Sequence, residues 1–290
     1  MDLTDSHVEY HRERIDRLTI GYWITAAVVA LVVSIVLFFT PLRWIGLPLG
    51  VLIALGLALL MWRRSEGWLI ASCGGRQVSE TDEPRLHNLV DGLCVTSGVI
   101  KPELRVVESP SSNLVAVGRR PDRVVLVVTS GALTTLGRIE LEALLATEIS
   151  QIRSLDTAHV TTAATTLGLP SLLAEVGGRW RSGKAITEGT AGFAGRLGGL
   201  AALAAIPFAG ISRTRLRHEL EPHRDFRTDA SALDLTRYPP GMIAALESLS
   251  SAGTTLDATA ASGPLWVVDP AGISDLRPAL GARVEALREL

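Results

Sequence analysis

The sequence predicts an α+β fold, mainly α, in which an N-terminal transmembrane helical hairpin precedes a larger body containing a small β-sheet. Three observations carry this: two uncharged apolar runs near the N-terminus, leucine-rich segments at helical spacing further on, and a group of short β-branched runs between them. With 290 residues, 47% of them hydrophobic, and a mean hydropathy of +0.30, the chain can bury a sizeable core but is more apolar than a purely soluble protein. The 28 basic and 30 acidic residues are interspersed and leave a net charge of −2, without the basic stripe that a phosphate backbone requires, so nucleic acid is not an expected partner. Cys73 and Cys94 belong to no CxxC and read as two small buried thiols in a reducing compartment.

The elements follow in order. Residues 1–19 are a charged tail, and 20–64 form the hairpin: GYWITAAVVALVVSIVLFFT at 21–40 and IGLPLGVLIALGLALLMW at 45–62 are both uncharged and long enough for a hydrocarbon core of ~30 Å. Trp44 and Trp62 suit the interfacial depth. Arg12, Arg14 and Arg17 before the first run and Arg63 and Arg64 after the second outweigh Arg43 in the turn, which places both ends in the cytoplasm and makes the chain a multi-pass protein of the cell membrane. Residues 65–156 begin the body. ETDEPRLHNLVDGLCVTSGV reads as an amphipathic helix behind a Pro-containing start. ELRVVES, NLVAV and RVVLVVTSGAL, parted by SPSS and GRRPD, read as a small sheet with two hairpin connections. A helix opens near Arg138, with Leu141, Leu144, Leu145, Ile149 and Ile152 as its buried stripe and Thr147, Glu148 and Gln151 on a neighbouring part of the surface. Residues 157–213 are a weaker apolar insertion, either a second membrane hairpin or a helical pair outside the membrane, and 214–290 complete the body.

This order of parts resembles the HtpX-like family of membrane zinc endopeptidases, relatives of the CAAX prenyl proteases. GRQVSETDEPRLHNLVDGL is similar to the family's opening helix, SSNLVAVGRR to its NAFATGR edge strand, and the stretch ending in ELEALLATEISQIRSLD to the strand and helix bearing HELAHIRNRD. RDFRTDASALDLTRYPPGMIAALESL resembles the REFxAD helix, and PLWVVDP with RPALGARVEALREL the C-terminal LFIVNP and THPPxxxRIxxL segments. The resemblance implies a zincin-like (gluzincin) body. It puts Thr147 at the first zinc histidine, Gln151 at the second and Asp225 at the ligand glutamate, with Glu148 as a vestigial general base and Asp156 and Asp229 at supporting carboxylates. A register placing Glu219 and His223 in place of Asp225 and Asp229 spoils the match that follows. The strand Asn113, Leu114, Val115, Ala116 and Val117 is the implied binding element, a free edge to which a polypeptide segment can add.

In a working HExxH helix, zinc brings the pKa of its water from 15.7 to ~7 and polarises the scissile carbonyl, and Glu148 without the ion faces unactivated water. Thr and Gln are not recognised zinc ligands. The expectation is therefore no cofactor and a membrane-anchored pseudopeptidase that binds a protein partner or scaffolds a complex. Two readings stay beside it: an active membrane metalloendopeptidase of protein quality control with unconventional ligation of zinc, and a structural subunit acting through its hairpin. The carboxylates left around the missing ion are expected to be met by hydrogen bonds from Thr147 or Gln151 to Asp225 and by an arginine, Arg224, Arg227 or Arg277. An oxygen-ligated site for calcium or magnesium at Glu148, Asp156, Asp225 and Asp229 lacks any supporting spacing. His7 and His11 read as part of a solvated tail, His218 and His223 as a turn, and His87 and His159 as isolated surface or satisfied residues.

Overall fold

Two long helices lead into a four-stranded sheet enclosed by shorter helices, in a computed structural model that describes residues 3–40, 43–173, 209–220, 224–252, 262–268 and 278–289. Helix α1 (Leu3–Phe38) and helix α2 (Arg43–Cys73) pack as an antiparallel pair and are long and apolar enough to cross a membrane. Small residues let them approach: Ala26, Ala30 and Ser34 are buried, and a Cβ on Gly50 would fall 2.7 Å from Ser34 Cα. Tyr22 donates its hydroxyl to Ala58 O at 2.6 Å. Their outer faces keep a belt of uncovered apolar side chains, among them Leu31, Val36 and Leu52, which water does not favour and lipid does.

The body begins with strand β1 (Arg76–Gln77), followed by helix α3 (Pro84–Ser97), which has Pro84 in its first turn and Gly98 in the left-handed conformation as its stop. Strands β2 (Glu103–Val107), β3 (Leu114–Val117) and β4 (Val125–Thr129) complete a sheet of order β1-β2-β4-β3. Only β3 and β4 form a hairpin; β2 runs parallel to β4, so the expectation of two hairpin connections is corrected. The SPSS segment carries the chain past the end of β4 to its far side. Both faces of the sheet are covered. Leu114, Ala116, Leu126 and Val128 point into one core with α3 and α5, while Val115, Val117, Val125 and Val127 point into a second with Leu69, Val160 and Trp266.

Thr129 caps helix α4 (Ser130–Thr135), and Glu140 accepts the Gly137 amide at 2.7 Å to open helix α5 (Arg138–Arg153). Helix α5 touches α3, β3, α6 (Asp156–Thr166), α8 (Arg224–Thr236) and α9 (Pro239–Ala252). It is consequently buried almost all round: Thr147, Glu148 and Gln151 lie inside the protein, not on the surface as the stripe of leucines suggested. Helix α7 (Ala209–Glu219) and the terminal helix α10 (Leu280–Arg288), which packs on α8 and α9, finish the described body. Residues 157–173 of the apolar insertion are mostly buried against α1, α2 and β3, and most of its remainder, including the expected second hairpin, lies outside the described residues. The N-terminal tail is no solvated appendage. It is the first part of α1, packed on α6 with His11 buried.

Arg119 fastens the hairpin to the sheet. Its guanidinium stacks on Trp62 at 4.3 Å, donates to Trp62 O at 2.8 Å and bonds Ser65, while its main-chain amide donates to Glu66 at 2.8 Å.

Candidate functional site

The residues at the implied zinc positions meet where α5 crosses α8 beneath β3. Thr147 is buried and returns its hydroxyl to Ala143 O at 3.2 Å, with Met242 Sδ 3.9 Å away. Glu148 accepts the Ala116 amide of β3 at 2.7 Å. Gln151 accepts, through its amide oxygen, a bond of 2.8 Å from the Arg224 guanidinium. Arg224 also pairs with Asp156 at 2.5 Å; a left-handed turn at Leu155, φ 63°, separates Asp156 from α5 and starts α6. Of the candidate arginines, Arg224 is one that pairs here, and it donates to the Gln151 oxygen, a group different from the amide hydrogens expected to reach Asp225.

A second arginine completes the arrangement. Arg283 on α10 forms a fork with Asp229, 2.7 Å at each oxygen, and reaches Val267 O at 3.2 Å. Burial opposes the charge on both guanidiniums, but Asp156, Asp225 and Glu148 around Arg224, and Asp229, Asp225 and Glu148 around Arg283, outweigh it and hold both above the usual arginine range. Four buried carboxylates thus share two buried cations. Sequence reasoning named Arg277, which lies outside the described residues, and did not name Arg283. Its signal was available in the C-terminal segment, where an arginine stands four residues, one helical turn, before buried Leu287.

Zinc takes imidazole, thiolate or carboxylate donors. Here a hydroxyl and an amide stand at two of the three implied positions, the amide oxygen already faces a guanidinium, and only Asp225 offers a usual donor. The residues present do not fit a zinc ion at this crossing.

The edge of β3 is not free, and the expectation that it lies open to an added peptide is corrected. Asn113 exchanges bonds with Thr129, so the alternation of an antiparallel ladder turns Val115 and Val117 toward β4 and leaves Leu114 and Ala116 facing outward. Three of those four outward groups are engaged. The Leu114 amide meets the Asn113 side chain at 3.0 Å, Leu114 O accepts from the Val267 amide at 3.0 Å, and the Ala116 amide is held by Glu148. Asn113 further clips Val268 through a pair of bonds, 2.7 and 3.1 Å. Residues 262–268, with Trp266 buried, thus occupy the lane a peptide would use.

Past Asp156 lies a different group. His11 of α1 and His159 of α6 sit with ring centroids 5.4 Å apart, His11 Nε2 is 3.9 Å from Asp156 Oδ1, and His159 Nε2 is 3.2 Å from Glu219 Oε1. Neither histidine is solvated or isolated. Burial lowers the His11 pKa to about 4 and that of His159 below its ordinary value. Burial alone would raise the Asp156 carboxyl, but Arg224 and the two histidines prevail and hold it low. A cavity of about 320 Å³ opens here, lined by His7, His11, Arg153, Asp156 and Arg227 among others; Thr147 and Glu148 do not line it. His87 is buried with its Nε2 3.2 Å from Val78 O, while His218 is exposed on α7 and His223 lies outside the described residues.

Known proteins resemble the chain along most of its length. A protease HtpX homolog of Streptococcus gordonii is 32% identical over 264 residues, covering 85% of this chain and 89% of that protein. One of Dictyoglomus turgidum is 33% identical over 239 residues, covering 81% and 77%, and one of Listeria monocytogenes is 28% identical over 291 residues, covering 94% and 95%. No protein-family model and no solved structure matches. Identity of this extent, together with two membrane-length helices at the N-terminus, makes the chain a membrane protein that belongs to the HtpX protease family.

Proposed function

We propose that the chain is a multi-pass, membrane-anchored member of its family that does not hydrolyse peptides through a zinc-bound water and serves as a protein-binding or scaffolding subunit, with a zincin-like body on the cytoplasmic side. The observation that carries this is the Arg224 guanidinium 2.8 Å from Gln151 Oε1, a fixed cation beside the position the resemblance assigns to a zinc ligand. Around it, Glu148 is spent on a main-chain amide of β3, and a carboxylate acting alone as general base supplies ~10²- to 10⁴-fold, below the ~10⁶-fold or more typical of enzymes. With three of the four outward groups of β3 engaged, a partner docks on the assembled body and hairpin or displaces residues 262–268 first.

Casein hydrolysis by the purified full-length chain tests this. We expect none above a blank; hydrolysis abolished by Glu148→Gln overturns the reading. Replacing Thr147→His, Gln151→His and Asp225→Glu together is expected to add one zinc equivalent at the crossing, because two imidazoles at i and i+4 outcompete the single bond to Arg224, whereas each single replacement adds none.

A further inference from the structure

We propose that His11, Asp156 and His159 form a site for a divalent transition-metal ion of the zinc class, one that staples the charged end of α1 to α6. One ring nitrogen from each histidine and one carboxylate oxygen lie within 4.8 Å of one another, and all three residues are buried. They line a cavity of about 10 Å³, room for a single ion or water.

The hydrogen bonding of His11 points the same way. It is 5% exposed, its Nδ1 has no partner among the described residues, and its Nε2 stands 3.9 Å from Asp156 Oδ1, beyond the ~3.2 Å limit of an N–H···O bond. A buried imidazole left in this state loses its hydration without compensation, and an ion between His11 and Asp156 removes that cost.

The donors suit the ion. Two nitrogens and one carboxylate oxygen are a set used by zinc, cobalt and iron(II). Burial favours the neutral form of both imidazoles, the form with a lone pair to give, and Glu219 steadies the His159 ring as outer-shell carboxylates do for metal-bound histidines. Three guanidiniums stand nearby. Arg224 is taken by Asp156 Oδ2, leaving Oδ1 toward His11; Arg14 lies 3.3 Å from Glu219; and Arg227 lines the cavity. Their charge lowers the affinity without removing a donor. The larger cavity borders His11 and Asp156 but not His159, so the three donors meet only in the small space between α1 and α6; the role proposed is structural, and the inference goes beyond the proposed function without depending on it.

The experiment uses the full-length chain in detergent, stripped with a chelator and titrated with Zn²⁺ and, for its visible absorption, Co²⁺. One equivalent is expected to bind and to raise the melting temperature. His11→Ala, His11→Asn and His159→Ala, each checked for native circular dichroism, are expected to weaken binding by more than the roughly 10- to 100-fold that loss of an outer-shell partner costs, while Glu148→Gln and Asp225→Asn leave it unchanged. Folded wild-type protein that takes up no ion overturns the proposal. So does an equivalent that survives loss of both histidines, or one lost in Asp225→Asn.

Discussion

Two polar clusters flank Arg224, and they solve opposite problems. At the α5–α8 crossing the side chains are rich in negative charge and poor in nitrogen donors: Glu148, Asp225 and Asp229 converge, and Arg224 and Arg283 answer them. At the α1–α6 contact the side chains include two buried imidazoles with one ionised carboxylate, and His11 has no hydrogen bond at either ring nitrogen among the described residues. The first cluster is closed because a guanidinium is covalently part of it and cannot leave. The second is incomplete in hydrogen bonding yet well supplied with lone pairs. Where a helix pair presents carboxylates without imidazoles, a resident arginine makes them permanent structure; where it presents two imidazoles beside a carboxylate, it offers the donor set proposed here for a metal ion.

The sharpest way to break the comparison is to remove the cation from the closed cluster. Arg283→Met removes the guanidinium fork from buried Asp229, and is expected to cost about 3–5 kcal/mol in chemical denaturation; adding Asp229→Leu should recover most of the loss, since an apolar pair of similar volume is tolerated where a buried charge stripped of its ion pair is not.

Lowering the pH sharpens the comparison from the other side. In metal-stripped protein the folded-state pKa of His11, about 4, lies below the unfolded value of 6.5, so the unfolded state binds more protons as pH falls. The stabilisation held by neutral His11 is complete above pH 6.5 and is lost progressively toward pH 4, by up to about 3 kcal/mol. Proteolysis of α1 near Arg12 and Arg14 at pH 7 and pH 5 checks this. Faster cleavage at pH 5 is expected in wild type and not in His11→Phe; equal rates would show that α1 stays docked whatever the charge on His11.

The smallest effect belongs to Thr147→Val. The hydroxyl makes a back-bond to Ala143 O and a long contact with Met242 sulfur, so its loss should change stability by about 1 kcal/mol or less and leave partner recovery intact. A large loss of partner binding with unchanged stability would mean that the hydroxyl has a function no contact here explains.

Much of this was legible in the residue order. Uncharged runs of membrane length marked the hairpin, and leucines at helical spacing marked α3 and α5. Of the positions singled out in TEISQ, RSLD and RDFRTD, Gln151 and Asp156 meet at Arg224, which also feels the charges of Glu148 and Asp225. What the order of residues did not carry was partnership. Alternation in ELRVV and RVVLVV identifies strands but not which neighbour lies on each side, so the parallel β2–β4 pair was missed. HVEYHRERIDRL looked solvated because its inward face is built from His11, Arg14 and Leu18, two of which are polar and satisfy a packing role that hydropathy does not register. The free edge failed for a related reason: the segment covering β3 lies about 150 residues away in sequence and is held by Asn113, a residue type that ordinarily marks a turn.

Helix α1 runs unbroken from Leu3 to Phe38, and this gives the molecule a mechanical property. A helix of 36 residues is a rod about 54 Å long, and the stretch from the start of its apolar run to His11 is a lever of about 15 Å. Bilayers of different thickness tilt such rods to different degrees, and a change of about 10° would move the far end of that lever by about 2.6 Å. Displacement on this scale is enough to break the metal coordination proposed for His11 and His159. Lipid thickness would then enter the body as a distance between His11 and His159, measurable with spin labels placed at Arg12 and Thr166 in thin and thick bilayers; an unchanged distance would mean that the rod bends before it transmits the tilt.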